Sequence, residues 1–224
     1  MVIYSHACPK LRVLSKKGGI NISKDILIIG ESRCGKSTIT NYLLNKYNNY
    51  EPIRGDSLEI ALSSTLSRLD AQDNANSNGS KRKFKIFNLS SSILAQYFKT
   101  TYEEIKFDLR VSQKSIIIDT HSLTVEDSIK YFRPQCDIYC LGMPNETPEN
   151  LKLKIRENDT RNDWTYYTSN MIMDVTCRNI IENSKYMQEE CEKYHVKFWD
   201  TSGDRKHKLK AIIEEIEKSI INKK

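Results

Sequence analysis

A short apolar run that leads into a glycine-rich turn constrains this chain more than any other feature. The run covers residues 26–29 (ILII), and the sequence GESRCGKST follows it directly. Because apolar residues fill the run and a glycine ends it, the stretch predicts a buried strand that enters a tight turn. The turn fits the spacing GxxxxGK[ST], with fixed positions at Gly30, Gly35, Lys36 and Ser37. This spacing is typical of a loop that binds the phosphates of a nucleotide.

The residue types in this loop follow from what a polyphosphate needs. Several backbone N–H groups hold such an anion best, glycines let the backbone curl around it, and the positive end of the following helix faces it. We expect Lys36 to reach the β- and γ-phosphates and the Ser37 hydroxyl to bind Mg²⁺. Ile39, Leu43 and Tyr47 recur at helical spacing, so the loop lies between a strand and a helix. The predicted nucleotide-binding residues of the loop are Gly30, Glu31, Ser32, Arg33, Cys34, Gly35, Lys36, Ser37 and Thr38.

The composition is that of a globular protein without a membrane-spanning segment. Of the 224 residues, 38% are hydrophobic and 29% are charged. No apolar run approaches the ~18 residues that a membrane helix needs. Residues 1–14 lack the continuous apolar core of a signal peptide, so we expect a cytoplasmic protein. The length suits one large domain that covers residues 1–224. The six cysteines are scattered without metal-ligand spacing, which predicts reduced thiols.

The net charge of +6 leaves two interpretations open. A basic chain could bind nucleic acid, but the lysines are spread along this one rather than clustered. A site for polyanionic nucleotides explains the excess equally well. We therefore expect neither a nucleic acid nor a membrane as the partner, and the sequence leaves a homodimer open.

Apolar patterns beyond the loop predict four further strands that alternate with helices. The five predicted strands span residues 26–29, 50–53, 115–119, 137–141 and 196–199. Helices are predicted over residues 58–69, 90–108 (one helix or a pair), 122–132, 148–156, 169–194 and 208–221. Residues 70–83 are polar and Asn-rich and predict a surface loop. The alternation predicts an α/β fold with a mostly parallel sheet that binds ligands at the carboxyl ends of its strands.

Two classes of phosphate-loop protein fit the remaining motifs poorly. A GTPase switch would need a guanine-reading NKxD after a late strand, and the chain contains none. A motor ATPase usually carries a glutamate after the strand-end aspartate to polarise the attacking water, whereas Thr120 follows Asp119 here. Hydrolysis as the main activity is therefore disfavoured.

From Ile26 to the C-terminus, the layout resembles the P-loop small-molecule kinases, the superfamily of adenylate-kinase-like, shikimate-kinase-like and chloramphenicol-phosphotransferase-like enzymes. The resemblance rests on GESRCGKST, on the acid after the second predicted strand and on the segments IIIDT (116–120), IRENDTRNDW (155–164) and FWDTSGDR (198–205). It implies a three-layer P-loop NTPase fold with five strands, an acceptor-binding insertion (57–110) and a small lid (156–168). ATP and Mg²⁺ are the implied cofactors.

The resemblance also implies roles for two acids. Asp56 matches the strand-end acid that, in several of these kinases, accepts the proton of the substrate hydroxyl. An ordinary turn or N-cap residue before Ser57 is an equally good interpretation of Asp56. Asp119 matches the Walker B acid, which holds Mg²⁺ beside Ser37.

Further residues match the lid and the base-binding loop of the superfamily. Arg156 and Arg161 match lid arginines that close over the phosphates and exclude water. Trp164 would be the packing anchor of the lid. The loop from Thr201 to Arg205 matches the segment that lies against the nucleotide base, and ATP is the default nucleotide.

The chain departs from true adenylate kinases because it lacks their glycine-rich, arginine-containing monophosphate site. The acceptor is therefore not assigned to nucleoside monophosphates. Arg54, Arg110 and Arg133 are candidates for binding an acidic acceptor, although an ordinary surface position is the favoured interpretation of each. The sequence predicts an ATP-dependent kinase that phosphorylates a hydroxyl or phosphate of a small molecule, with nucleoside-like and nucleotide-like compounds among the candidates. Two alternatives stay open, namely a nucleotide-binding regulatory ATPase with little kinase activity and a polynucleotide kinase, which the basic run at residues 80–83 suggests.

Overall fold

A parallel five-stranded sheet forms the centre of the described structure. The computed structural model describes residues 24–76, 91–109, 113–161 and 163–221. The strands are β1 (Asp25–Gly30), β2 (Tyr50–Arg54), β3 (Ser115–Thr120), β4 (Cys136–Gly142) and β5 (Phe198–Asp200). Their spatial order is β2-β3-β1-β4-β5, and every neighbouring pair runs parallel. The predicted α/β fold is confirmed. All five strands end at the same side of the sheet, which we name the carboxyl edge.

Helices connect the strands and cover both faces of the sheet. They are α1 (Lys36–Lys46), α2 (Gly55–Asn76), α3 (Ser91–Asp108), α4 (Val125–Phe132), α5 (Pro148–Asn158), α6 (Asn170–Lys193) and α7 (Arg205–Ile221). A side-chain cap begins α5, where the Thr147 hydroxyl accepts a hydrogen bond from the N–H of Asn150. Within the described segments, no helix is both long and apolar enough to cross a bilayer.

Two apolar cores lie on opposite faces of the sheet, and β1 contributes to both. Every residue of β1 is buried because helices cover this central strand from both sides. Ile26 and Ile28 pack into one core with α1, α5, α6 and α7, whereas Leu27 and Ile29 pack into the other with α3 and α4. A slip of one residue would exchange the two sets, so the alternation fixes the register of β1 and the position of the turn that follows it.

Several helix boundaries differ from the sequence prediction, among them the end of α2, the start of α4 and the start of α7. Helix α2 continues to Asn76, so residues 70–76 are helical rather than a loop; residues 77–83 of that predicted loop lie outside the described residues. No glycine or proline interrupts the chain between Gly55 and Asn76, which allows the helix to run on despite its polar side chains. Helix α7 begins at Arg205 rather than at residue 208. The Asp204 carboxylate accepts a hydrogen bond from the N–H of His207 (3.1 Å) and starts the helix before its first apolar residue.

Candidate active site

The glycines of the phosphate loop lie where no other residue fits. Gly30 has a φ of 150°, and a Cβ added there would lie 2.1 Å from the carbonyl oxygen of Leu141 in β4. Gly35 has a φ of 109°, and its added Cβ would lie 2.6 Å from Cδ2 of Leu209 in α7. The loop is therefore packed closely between β4 and α7. Cys34 is fully buried within it as a free thiol, and burial raises its pKa.

Lys36 bonds to the loop that it follows. Its Nζ donates hydrogen bonds to the carbonyl oxygens of Gly30 and Glu31, each at 2.8 Å, and the side chain is buried. Burial raises the pKa of the Glu31 carboxyl, although the charge of Lys36 opposes that shift.

A cavity of about 300 Å³ opens at the carboxyl edge beside this loop. Its walls come from the loop (residues 32, 33 and 35–38), from Asp56, from Asp119, from Asp163 and Trp164, and from Arg205. The sequence-predicted Lys36, Ser37, Asp56, Asp119 and Arg205 are thus brought together around one space. Gly30, Glu31, Cys34, Arg156, Arg161 and Thr201 are not among its lining residues.

Asp119 is buried at the floor of this edge and forms an ion pair with Arg54. Arg54 Nη1 lies 2.5 Å from Asp119 Oδ2, and Arg54 Nη2 donates to Asn41 Oδ1 at 2.6 Å. The pairing follows from the sheet, since Arg54 of β2 lies opposite Asp119 of β3 in the strand register. Arg54 therefore binds an acid of the protein in this structure rather than facing an acceptor.

The other two candidate acceptor arginines lie elsewhere. Arg133 precedes β4 and is exposed at the opposite, amino edge of the sheet, away from the cavity. That position contradicts its predicted role near the acceptor. Arg110 lies outside the described residues.

The donor set at the cavity fits Mg²⁺. Ser37 and the Asp119 carboxylate both line the cavity, and oxygen ligands of this kind suit a small, hard cation that keeps most of its water or binds phosphate oxygens. The described residues contain no cluster of three or more His, Cys, Asp or Glu side chains that could hold a metal without water or phosphate ligands. One carboxylate oxygen of Asp119 remains beyond the one that Arg54 contacts.

Asp56 lies in the first turn of α2 and pairs with His121, which follows β3. His121 Nδ1 lies 2.7 Å from Asp56 Oδ1, and His121 Nε2 lies 3.7 Å from Glu59 Oε2. The hydrogen bond with His121 lowers the pKa of Asp56, and the same bond raises the pKa of His121. Asp56 is nonetheless 62% exposed, so its carboxylate stays accessible from the cavity.

The segment predicted as a lid, residues 156–168 and called the lid segment below, is held together by one of its own arginines. Arg156 Nη1 donates to the carbonyl oxygens of Thr165 (2.9 Å) and Tyr166 (3.3 Å), and Nη2 donates to that of Thr168 (2.5 Å). Arg161 is exposed and has no hydrogen bond or ion pair with any described residue. A role for either arginine on the phosphates stays a prediction that would require the lid segment to rearrange.

A second arginine ties the lid segment to the phosphate loop. Arg33 Nη2 lies 2.6 Å from Asp159 Oδ1, Arg33 Nη1 lies 3.0 Å from Asp163 Oδ1, and Arg33 also donates to Thr165. Asp159 is almost fully buried, with 3% of its side chain exposed. Trp164 is 58% exposed and lines the cavity, so its prediction as a packing anchor is wrong. These ion pairs anchor the lid instead.

Comparison with known proteins supports this fold through structure rather than sequence. No protein-family model matches the sequence, and no curated protein matches it. A gluconokinase from Sinorhizobium meliloti is similar with a TM-score of 0.50 at 11% identity, over 90% of this chain and 95% of that one. The chain has the fold of a P-loop kinase. A shikimate kinase from Bacteroides thetaiotaomicron (TM-score 0.49, 13% identity, 87% and 98% of the two chains) and a dephospho-CoA kinase from Campylobacter jejuni (0.48, 13%, 87% and 97%) are less similar.

Within this P-loop kinase fold, the β5–α7 loop is held firmly. The N–H and Oγ1 of Thr201 both bond to the carbonyl oxygen of Gly142, at 2.8 and 3.1 Å, and Thr201 is buried. Thr201 therefore anchors the loop to β4. Arg205 at the end of the loop is the predicted base-loop residue that lines the cavity.

Two contributors to the candidate site were not predicted from the sequence. His121 was not predicted, although its position directly after the acid-bearing strand IIIDT placed it at the carboxyl edge. The ion pairs of Arg33 with Asp159 and Asp163 in the lid segment were not predicted either. These partners are more than 120 residues apart, and no sequence pattern links them.

Proposed function

We propose that this protein is an ATP·Mg²⁺-dependent kinase that transfers a phosphoryl group to a hydroxyl or phosphate of a small molecule. One observation carries the proposal: Lys36, Ser37, Asp119 and Asp56 line a single cavity at the carboxyl edge of a P-loop kinase fold. The first three suit a nucleotide with its metal, and the fourth lies within reach of a second substrate in the same space.

The phosphate loop and Lys36 bind the triphosphate in this proposal. Backbone N–H groups of the loop and the N-terminus of α1 face the anion, and the Lys36 ammonium lies beside them. Ser37 and Asp119 would hold Mg²⁺, which neutralises charge on the phosphate oxygens when it is bound.

Asp56 takes the proton of the acceptor hydroxyl. Its lowered pKa keeps it ionised near neutral pH, and its exposure leaves one side of the carboxylate open to a substrate. His121 fixes the orientation of the carboxylate through the 2.7 Å contact. An acceptor with a hydroxyl in this position could attack the phosphorus while losing its proton to Asp56.

Water must be kept out for transfer to exceed hydrolysis. The lid segment covers one side of the cavity through Asp163 and Trp164. Thr120 follows Asp119, where an ATPase would usually carry a glutamate to activate water. Both features favour transfer to an acceptor.

The test is ATP consumption by the purified protein with Mg²⁺, alone and with a panel of nucleosides, nucleotides, sugars, hydroxy acids and an oligonucleotide. Consumption that depends on one acceptor would support the kinase and identify its substrate. The Asp56→Asn variant should then lose turnover by about 10²- to 10⁴-fold while ATP affinity stays unchanged, because only proton transfer is removed. Slow consumption that no acceptor alters, with D56N equal to the wild type, would point to a regulatory ATPase instead.

A further inference from the structure

Arg205, the first residue of α7, forms no ion pair with an acid in the described part of the chain. Its Nε is buried and lacks a hydrogen-bond partner there. Burial lowers the pKa of Arg205, and the nearby charge of Arg33 lowers it further. A guanidinium held in this way is unfavourable unless an anion accompanies it.

The position of Arg205 on α7 directs it to the phosphate loop. Leu209 lies four residues further along and therefore shares a face of the helix with Arg205. The Leu209 side chain packs so closely on Gly35 that a Cβ added there would have to displace it. Arg205 accordingly lines the same cavity as Lys36 and Ser37.

Hydrogen bonds hold the loop before Arg205, so the backbone that carries this side chain is fixed. The Asp200 carboxylate accepts from the N–H of Ser202 (2.8 Å) and from Lys208 Nζ (3.3 Å). The N–H of Gly203 donates to Glu146 Oε2 at 3.1 Å. A fixed backbone at this position reduces the conformational freedom that is lost when the side chain binds a ligand.

The other arginines near the cavity already have partners. Arg33 is neutralised by Asp159 and Asp163, and Arg156 donates to lid carbonyls. We infer that Arg205 binds the triphosphate of the nucleotide and supplies, from the β5–α7 loop, the positive charge that the sequence assigns to the lid. This inference rests on the proposed function, and it moves Arg205 from the base to the phosphates.

Calorimetry tests the inference. It measures the affinity of three ligands (inorganic tripolyphosphate, ATP and adenosine) for the wild type, Arg205→Met and Arg205→Lys. Tripolyphosphate has no base, so only a contact with phosphate can alter its affinity. We expect R205M to weaken tripolyphosphate and ATP by about 10- to 100-fold, the loss of a charge-assisted hydrogen bond, and to leave adenosine unchanged. R205K should recover part of the loss. Lys210→Met is the matched control, because it removes an exposed charge from the same helix.

Thermal unfolding provides an independent measure. R205M should unfold at a higher temperature than the wild type without ligand, because it replaces a half-buried cation, whose buried Nε lacks a hydrogen-bond partner, with an apolar side chain. Tripolyphosphate should stabilise the wild type more than R205M.

Tripolyphosphate affinity that is equal in R205M and the wild type, or equally reduced in K210M, would overturn the inference. Weakened adenosine binding with unchanged tripolyphosphate binding would return Arg205 to the base. A wild-type protein that binds neither ATP nor tripolyphosphate would overturn the proposed function as well. Binding of both without dependence on Arg205 would overturn only this inference.

Discussion

Arg54 and Asp119 form an ion pair across neighbouring parallel strands, with 2.5 Å between Nη1 and Oδ2. The arginine therefore occupies part of the carboxylate that the proposed function assigns to Mg²⁺. A metal ion and a guanidinium both bind the negative charge of Asp119, so each should lower the affinity of the other for this carboxylate.

Replacing Arg54 with Met should lower the Mg²⁺ concentration needed for half-maximal ATP consumption, because Asp119 then has no competing cation. The same change should cost about 1–3 kcal/mol of unfolding free energy, since a buried carboxylate loses its hydrogen-bonded partner. A magnesium titration and urea unfolding measure the two effects. Arg133→Met at the amino edge is the control. An unchanged or higher magnesium requirement in R54M would contradict the competition.

The Asp56–His121 pair predicts a pH-dependent contribution to stability. The raised pKa of His121 adds stability that is fully present below its ordinary pKa of 6.5 and is lost as the pH rises through the folded-state value. The lowered pKa of Asp56 adds stability above 3.8 that is lost as the pH falls through its folded-state value. The contribution is therefore largest in the window between these two ordinary values.

His121→Asn should consequently destabilise the protein more at pH 5.5 than at pH 9. Both side chains are substantially exposed, so the difference should be about 0.5 kcal/mol or less. Urea unfolding of both proteins at the two pH values measures it. A larger loss at pH 9 than at pH 5.5 would show that the pair does not stabilise the fold as an ion pair.

The ion pairs between Arg33 and the lid segment predict that ATP hydrolysis increases when they are removed. Arg33→Met removes both ion pairs and leaves the buried Asp159 with only the longer 3.9 Å ion pair to Arg156. Hydrogen exchange should rise in residues 159–168, and acceptor-independent ATP consumption should rise relative to acceptor-dependent consumption. Arg178→Met removes an exposed arginine of α6 outside this segment and should alter neither quantity. Unchanged exchange in R33M would mean that the lid is held by other contacts.

The stability lost when each of three glycines is replaced by alanine should depend on the atoms that surround the new methyl group. In Gly30→Ala the new Cβ meets a backbone carbonyl at 2.1 Å, in Gly35→Ala it meets the flexible tip of Leu209 at 2.6 Å, and in Gly203→Ala nothing lies within 4 Å. Gly203→Ala should cost only the strain of a φ near 71°, about 1 kcal/mol, because no atom obstructs the methyl group. Denaturant unfolding should give losses in the order G30A, G35A, G203A. A larger loss in G203A than in G35A would contradict the packing of α7 on the loop.

Features that depend on short patterns could be predicted from the sequence, and features that depend on distant pairs could not. The apolar run before Gly30 and the alternation of strands and helices were sufficient for the parallel sheet, because burial on both faces demands continuous apolar strands. The local boundary of α7 was misplaced because its first turn, Arg205 to Lys208, contains no apolar residue.

The arrangement of the candidate site depended more on tertiary contacts. Lys36, Ser37 and Asp119 were assigned by motif, and their common cavity follows from the strand ends. The partners of Arg33 and Arg54 depend on which carboxylates the fold brings near. A single arginine in a sequence does not indicate which carboxylate it will bind. Arginine was consequently the residue type whose role was hardest to predict.

The two carbonyl bonds of Lys36 have a consequence for how strongly a phosphate is held. An ammonium group has three N–H donors, and Gly30 and Glu31 accept from it in a fixed direction. A phosphate that takes the remaining donor meets a side chain whose rotamers are already restricted by the loop. The entropy of ordering this long, flexible side chain is thus lost during folding rather than during binding, and the nucleotide gains affinity from a lysine that does not have to be immobilised.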